Sequence, residues 1–158
     1  MKQKLKLALV GAGERGQYCY APYAKMHGYE IEFVAVADPH KGRREKFVQD
    51  YHVPAEGVFE TAEQFFARPR MADAVLICTQ DSQHYAYACQ AIDLGYSILL
   101  EKPISPSARE CLDLQRRAEE KGTQIMVCHV MRYTKFYRKL KELIDSGVIG
   151  DVVHVTHT

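Results

Sequence analysis

The chain has 158 residues, enough for one domain of ordinary size. Its 47% hydrophobic and 26% charged content is that of a globular protein in water. A formal charge of +1, from 21 basic and 20 acidic residues, argues against a nucleic-acid or membrane partner. No run approaches the roughly 18 apolar residues of a membrane span, and Met1-Lys2-Gln3-Lys4-Leu5-Lys6 lacks the apolar core of a signal peptide. The five cysteines (Cys19, Cys78, Cys89, Cys111 and Cys128) are odd in number, scattered and free of any C-x-x-C pair. Seven histidines show no metal-ligand spacing. Reduced, mostly buried thiols, a cytoplasmic setting and no metal are the expectation.

Leu5 to Val10 is an apolar strand that runs into Gly11-Ala12-Gly13-Glu14-Arg15-Gly16, a G-x-G-x-x-G turn with helix-compatible sequence beyond it. Gly11 lets the chain turn, Gly13 lets a pyrophosphate approach the backbone, and Gly16 lets the next helix pack on the strand. The free amides of that helix start would face the anion. Residues 15–27 are expected to be helical, interrupted at Pro22, with Tyr18, Tyr20 and Tyr23 as packing residues. Ile31 to Ala37 is a second strand ending at Asp38. Alone, Asp38 is equally a turn aspartate before Pro39. About 20 residues past the glycines and at a strand tip, it reads as the acceptor for both adenosine ribose hydroxyls. Its charge would repel a 2′-phosphate, favouring NAD. A swung-in Arg43 or Arg44 would instead accept NADP, but both are expected to be solvated on a helix from Lys41 to Tyr51.

Val58-Phe59 is a short third strand, and Thr61 and Gln64 form a capping box for a helix that Pro69 stops. Ala74 to Cys78 is a continuous apolar run, as a buried parallel strand requires, and Ser97 to Leu100 and Gln124 to Cys128 are further strands. Helices fill the intervals, 83–94 ending at Gly95 and another opening at a Ser107/Glu110 capping box and closing at Gly122. Strands alternating with helices predict an α/β fold, a Rossmann-type doubly wound parallel sheet. Ligands of such sheets lie beyond the carboxyl ends of the strands, so Gly11, Asp38, Thr79 and Glu101-Lys102 should share one rim.

Glu101-Lys102-Pro103, directly after a buried strand, is either a surface ion pair or a charged group facing a cleft. As a base near neutral pH, Lys102 needs a pKa lowered from about 10.4 toward about 7–8, a difference of about 4 kcal/mol. Burial and an oxidised nicotinamide would favour this, and contact with Glu101 would oppose it, so the two side chains should diverge. The proline also admits a cis Lys102–Pro103 bond.

These segments resemble the glucose–fructose oxidoreductase/inositol dehydrogenase (Gfo/Idh/MocA) family. The resemblance runs through Gly11–Gly16, Ala35-Val36-Ala37-Asp38-Pro39, Thr79-Gln80-Asp81-Ser82-Gln83-His84 and Gly95 to Ser105. It continues through His129-Val130-Met131-Arg132-Tyr133 and Leu143 to Gly150, covering nearly the whole chain. It implies hydride transfer between nicotinamide and a carbinol carbon of a sugar, cyclitol or related small molecule. It places cofactor binding at Gly11, Ala12, Gly13, Glu14, Arg15, Gly16 and Asp38, with Thr79, Gln80 and His84 along the cofactor. Glu101 then lies near the nicotinamide ribose, and Lys102 takes the place of the catalytic lysine. NAD is the expected cofactor, with NADP left open, and a homo-oligomer is expected at full length.

There are two departures. Thr79-Gln80-Asp81 stands where Thr-Pro-Asn is common, and Asp81 also suits a helix N-cap. The family continues into a second α/β domain that carries most substrate contacts, whereas this sequence stops at Thr158. Residues 1–123 are therefore read as the NAD(P)-binding domain. Residues 124–158 are read as the junction strand, helix and first strand of a truncated substrate domain. Within them 133–146 is an amphipathic helix with Phe136, Leu140, Leu143 and Ile144 inward and a solvated basic face. Arg132, Tyr133 and His129 read as structural, and His154 and His157 are not credited as catalytic. A noncatalytic dinucleotide sensor and a redox-neutral, NAD-retaining glycoside hydrolase are the competing functions.

Overall fold

The computed structural model describes residues 3–156. The chain divides into two compact units, one ending at Cys128 and one beginning at His129. The first is built on β1 (Leu5–Val10), β2 (Ile31–Ala37), β3 (Val58–Phe59), β4 (Ala74–Ile77), β5 (Ser97–Leu100) and β6 (Ile125–Val127). All pair in parallel, in the order β3-β2-β1-β4-β5-β6. This is the doubly wound Rossmann sheet the alternating pattern predicts, and its order reverses between β1 and β4. β6, inside the strand expected at 124–128, is the sixth of this sheet, with Leu100 opposite Val127.

Alternate side chains of the central strands enter two cores, which is why these strands are apolar throughout. Ala8, Val10, Val75 and Ile77 enter one, with residues of α3 (Ala62–Phe66), α4 (His84–Asp93) and α5 (Ala108–Lys121). Leu7, Leu9 and Leu76 enter the other, with Ala24 of α1 (Pro22–Met26) and Phe47 of α2 (Lys41–Tyr51). A fully buried side chain such as Leu9 contributes about 1.5–3 kcal/mol. The register of β1 against β2 shifts between Leu7/Phe33 and Ala8/Ala35, leaving Val34 as a bulge.

The helix expected over 15–27 is two pieces. Residues Glu14–Tyr20 wind as a π-helix, and the Ala21 amide donates to the Gly16 carbonyl at 3.0 Å, five residues back. Pro22 has no amide to continue the ladder and starts α1 instead. Both capping boxes form with altered partners. The Gln64 carboxamide accepts from the Glu60 amide, and the Glu110 carboxylate accepts from the Ser105 hydroxyl. Thr61 and Ser107 still accept from the amides three residues on.

In the second unit α6 (Lys135–Asp145) is capped by Thr134, which accepts from the Tyr137 amide at 3.4 Å. Phe136, Leu140, Leu143 and Ile144, expected inward, are exposed, Phe136 by 70%. The strand expected from Val153 does not form among the described residues, because no other strand is present there to pair with it. His157 of that run and Thr158 lie outside the described residues, as do Met1 and Lys2. No helix is long and apolar enough to cross a membrane among the described residues.

Candidate dinucleotide site

A row of backbone hydrogen bonds fixes the carboxyl rim of the sheet. Asp38 donates to Phe59, Gly11 to Ala37, Cys78 to Val10, Glu101 to Ile77 and Cys128 to Leu100, at 2.8–3.3 Å. The first residue past every strand except β3 is thus tied to the last residue of its neighbour. Gly11, Asp38, Thr79 and Glu101-Lys102 therefore line one edge, across the β1/β4 reversal.

The glycines divide the work by space. Gly11 has φ +95, and a Cβ there would lie 2.5 Å from the Cys78 carbonyl oxygen. A Cβ at Gly16 would overlap the Gly11 carbonyl and come within 2.8 Å of Leu9 Cδ1. At Gly13 it would meet nothing nearer than an Arg43 guanidinium nitrogen at 3.9 Å. The loop is tight against protein on both sides and open at its centre, which is the shape a pyrophosphate needs. Glu14 and Arg15 follow it, exposed, and the Arg15 guanidinium donates to Cys19 Sγ at 3.9 Å.

Asp38 is only 4% exposed. Its Oδ2 accepts from the Ala12 amide at 2.7 Å and its Oδ1 from the His40 amide at 2.8 Å. The acid therefore stands at the crevice and also locks the glycine loop. Arg44, expected in solvent, is buried. It donates to the Asp38 carbonyl at 2.6 Å and to Glu60 Oε1 at 3.3 Å. Arg43 is exposed and faces Gly13.

On the other side of the reversal, Thr79 Oγ1 is buried with no hydrogen-bond partner among the described residues; after β1, the same holds for Nε2 of Gln17, 3% exposed. Orphaned polar atoms around an open glycine turn fit a dinucleotide, which brings the donors and acceptors they lack. Gln17 was not legible as a site residue, because burial of an amide leaves no periodic signal. Gln80 is exposed, and its amide donates to Gln83 Oε1 at 3.3 Å. Asp81 opens a 3-10 turn, Asp81–Gln83, before α4.

His84, expected along the cofactor, is 1% exposed and braces two turns. Its Nδ1 lies 2.6 Å from the Pro103 carbonyl and its Nε2 3.2 Å from the Thr79 carbonyl. It joins the turn after β4 to the turn after β5.

Glu101 is 6% exposed and accepts twice, from the Tyr20 hydroxyl and from the Lys102 amide at 3.0 Å. Tyr20 is half-buried, with the Cys128 thiol near its hydroxyl. Burial first, then these two contacts, push the Tyr20 phenol far up from its ordinary value. Burial likewise raises the Cys78 and Cys128 thiols, which favours the neutral form over the thiolate. Of the tyrosines read as packing residues, Tyr18 and Tyr23 are exposed and Tyr20 carries the polar link. Lys102 is exposed, the Lys102–Pro103 bond is cis, and no ion pair joins Glu101 and Lys102 among the described residues. The two side chains stay apart, as a lysine left free to titrate requires.

His129, Arg132 and Tyr133 fall in the second unit. All five cysteines are free, Cys19 exposed and Cys128 buried. No cluster of three metal-ligating side chains occurs among the described residues.

A doubly wound parallel sheet with an open glycine turn at its reversal and an acid at the tip of β2 defines a dinucleotide-binding domain. Residues 5–129 match the family described as "Oxidoreductase family, NAD-binding Rossmann fold", and the chain belongs to this Gfo/Idh/MocA family. It is 32% identical over 157 residues to an inositol 2-dehydrogenase of Pseudomonas savastanoi pv. phaseolicola, covering 97% of this chain and 46% of that enzyme. It is 30% identical over 147 residues to a 2,7-anhydro-N-acetylneuraminate hydratase of Mediterraneibacter gnavus, covering 93% of this chain and 37% of that protein. Among solved structures, the WlbA dehydrogenase of Bordetella pertussis in complex with NADH and UDP-GlcNAcA superposes with a TM-score of 0.83. That match covers 94% of this chain and 44% of the dehydrogenase at 20% identity, and so speaks to the fold. The chain spans less than half the length of these relatives. It contains an NAD-binding Rossmann domain.

Proposed function

We propose that this chain is the cofactor-binding part of a nicotinamide-dependent oxidoreductase. The enzyme would move hydride between the cofactor and a hydroxyl-bearing carbon of a sugar, cyclitol or related small molecule. The observation that carries the reading is one rim shared by the open Gly13 turn, the Asp38 carboxylate, the orphaned Thr79 hydroxyl and the Lys102 ammonium. The inositol dehydrogenase relative supports the cyclitol class. When bound, the nicotinamide supplies the hydride acceptor or donor. The amides of the 11–16 turn bind the pyrophosphate, Asp38 accepts from the adenosine ribose, and Thr79 orients the nicotinamide half. Glu101 marks the nicotinamide ribose, and Lys102 holds and returns the proton of the substrate hydroxyl. The remaining substrate contacts belong to the length of the relatives that this chain does not span.

Calorimetric titration of the chain with NAD+, NADH and NADP+ tests the reading. Saturable NAD(H) binding that Lys102→Ala leaves intact is expected, and absence of binding to all three refutes it. The hydratase relative supports a second reading, a net redox-neutral reaction on the same cofactor. Cofactor that co-purifies, with no net NADH formed during turnover, would favour that second reading.

A further inference from the structure

A buried carboxylate next to the lysine assigned to the proton presents a problem. Adjacent opposite charges attract, and a lysine held by its neighbour is not available to a substrate. In this fold Glu101 is kept elsewhere. Its two oxygens are taken by the Tyr20 hydroxyl and by the Lys102 backbone amide, and no ion pair with Lys102 Nζ occurs among the described residues. Tyr20 comes from the far side of the sheet reversal, 81 residues earlier in the chain. It reaches the end of β5 as the last residue of the π-helical segment, whose wider winding adds a residue to the turn after Gly16. Cys128, which follows β6 and whose amide donates to Leu100 at the end of β5, lies near the same hydroxyl.

We propose that Tyr20 is a positioning residue of this site: its hydroxyl holds Glu101 under the turn, so that Lys102 meets the crevice unpaired. The value of an unpaired Lys102 rests on the function proposed above; the placement of Glu101 does not. A buried carboxylate needs its donors. Without the Tyr20 hydroxyl, Glu101 loses one of two and turns outward toward the cations that face it. These are Lys102 beside it and Arg15, which stands near enough to feel its charge.

The test is lysine acylation of the intact chain with limiting acetic anhydride, read by peptide mass spectrometry, with exposed Lys121 as internal reference. Tyr20→Phe should slow Lys102 labelling roughly two- to fivefold, the range of an exposed ion pair. Adding Glu101→Gln to that variant should restore the wild-type rate, which a merely structural role for Tyr20 would not do. Glu101→Gln alone should leave the Lys102 rate at the wild-type value, so the proposal is testable even if Tyr20→Phe does not fold. An unchanged rate in Tyr20→Phe, a slowed rate that Glu101→Gln does not restore, or faster labelling in Glu101→Gln alone each overturns it. Labelling needs no cofactor, so failure here and failure of the NAD titration are separate results.

Discussion

Gly13→Ala should separate cofactor binding from folding. Gly13 has φ −78 and ψ −163, extended backbone that alanine adopts, and the added Cβ would stand 3.9 Å from its nearest neighbour. The fold should therefore be unaffected. The methyl group would occupy the space through which a phosphate reaches the loop amides. Inserting a methyl into a close contact costs about 1–3 kcal/mol, which is roughly a 5- to 150-fold rise in Kd for NAD. Gly16→Ala inverts the pattern, since its Cβ would overlap the Gly11 carbonyl and crowd Leu9, neither of which can retreat. That variant should lose stability, and binding only as a consequence. Urea denaturation and calorimetric titration of both variants give the four numbers required. A folded Gly13→Ala protein with wild-type affinity would refute the placement of the pyrophosphate over this turn.

His84→Ala strips a partner from two inward-facing carbonyls, Pro103 and Thr79. It should cost about 1–3 kcal/mol, lowering the urea midpoint by about 1 M at the usual slope for a small domain. An unchanged midpoint would mean that the brace carries no load. Alkali should destabilise the fold, because Cys78, Cys128, Tyr20 and Tyr87 all have raised folded-state pKa values, Tyr87 to about 12 through burial and its bond to Glu63. A raised group stabilises fully below its unfolded pKa. That stability should fall from about pH 8.5 for the thiols and about pH 10 for the phenols upward. Thermal midpoints that stay flat to pH 11 would contradict this.

The sheet and half of its rim were legible because their signals are local. A strand, three spaced glycines and an acid at the next strand tip each leave a pattern within a short window, and Gly11, Gly13, Gly16 and Asp38 lie where that pattern puts them. What escaped depends on contacts distant in sequence. Nothing near Tyr20 announces Glu101, and nothing near Arg44 announces the Asp38 carbonyl or Glu60. The π winding was hidden for a related reason. Pro22 marks a break, but the five-residue reach of the Ala21 amide back to the Gly16 carbonyl leaves no pattern in the sequence. The bracing of two turns by His84 was not legible either, since spacing reports that a side chain is near a site and not which way it faces. The inward face read on α6 failed because periodicity marks which residues want cover, without stating that cover is present.

On the function proposed above, Asp38 has two tasks, and they constrain anyone who would retune this scaffold to the phosphorylated coenzyme. Replacing the acid with a small neutral residue removes the repulsion, but it also unfastens the Ala12 amide and loosens the cradle beneath the diphosphate. Selectivity and grip are thus coupled through a single carboxylate. A successful redesign must refasten that amide with another acceptor before the altered preference becomes useful.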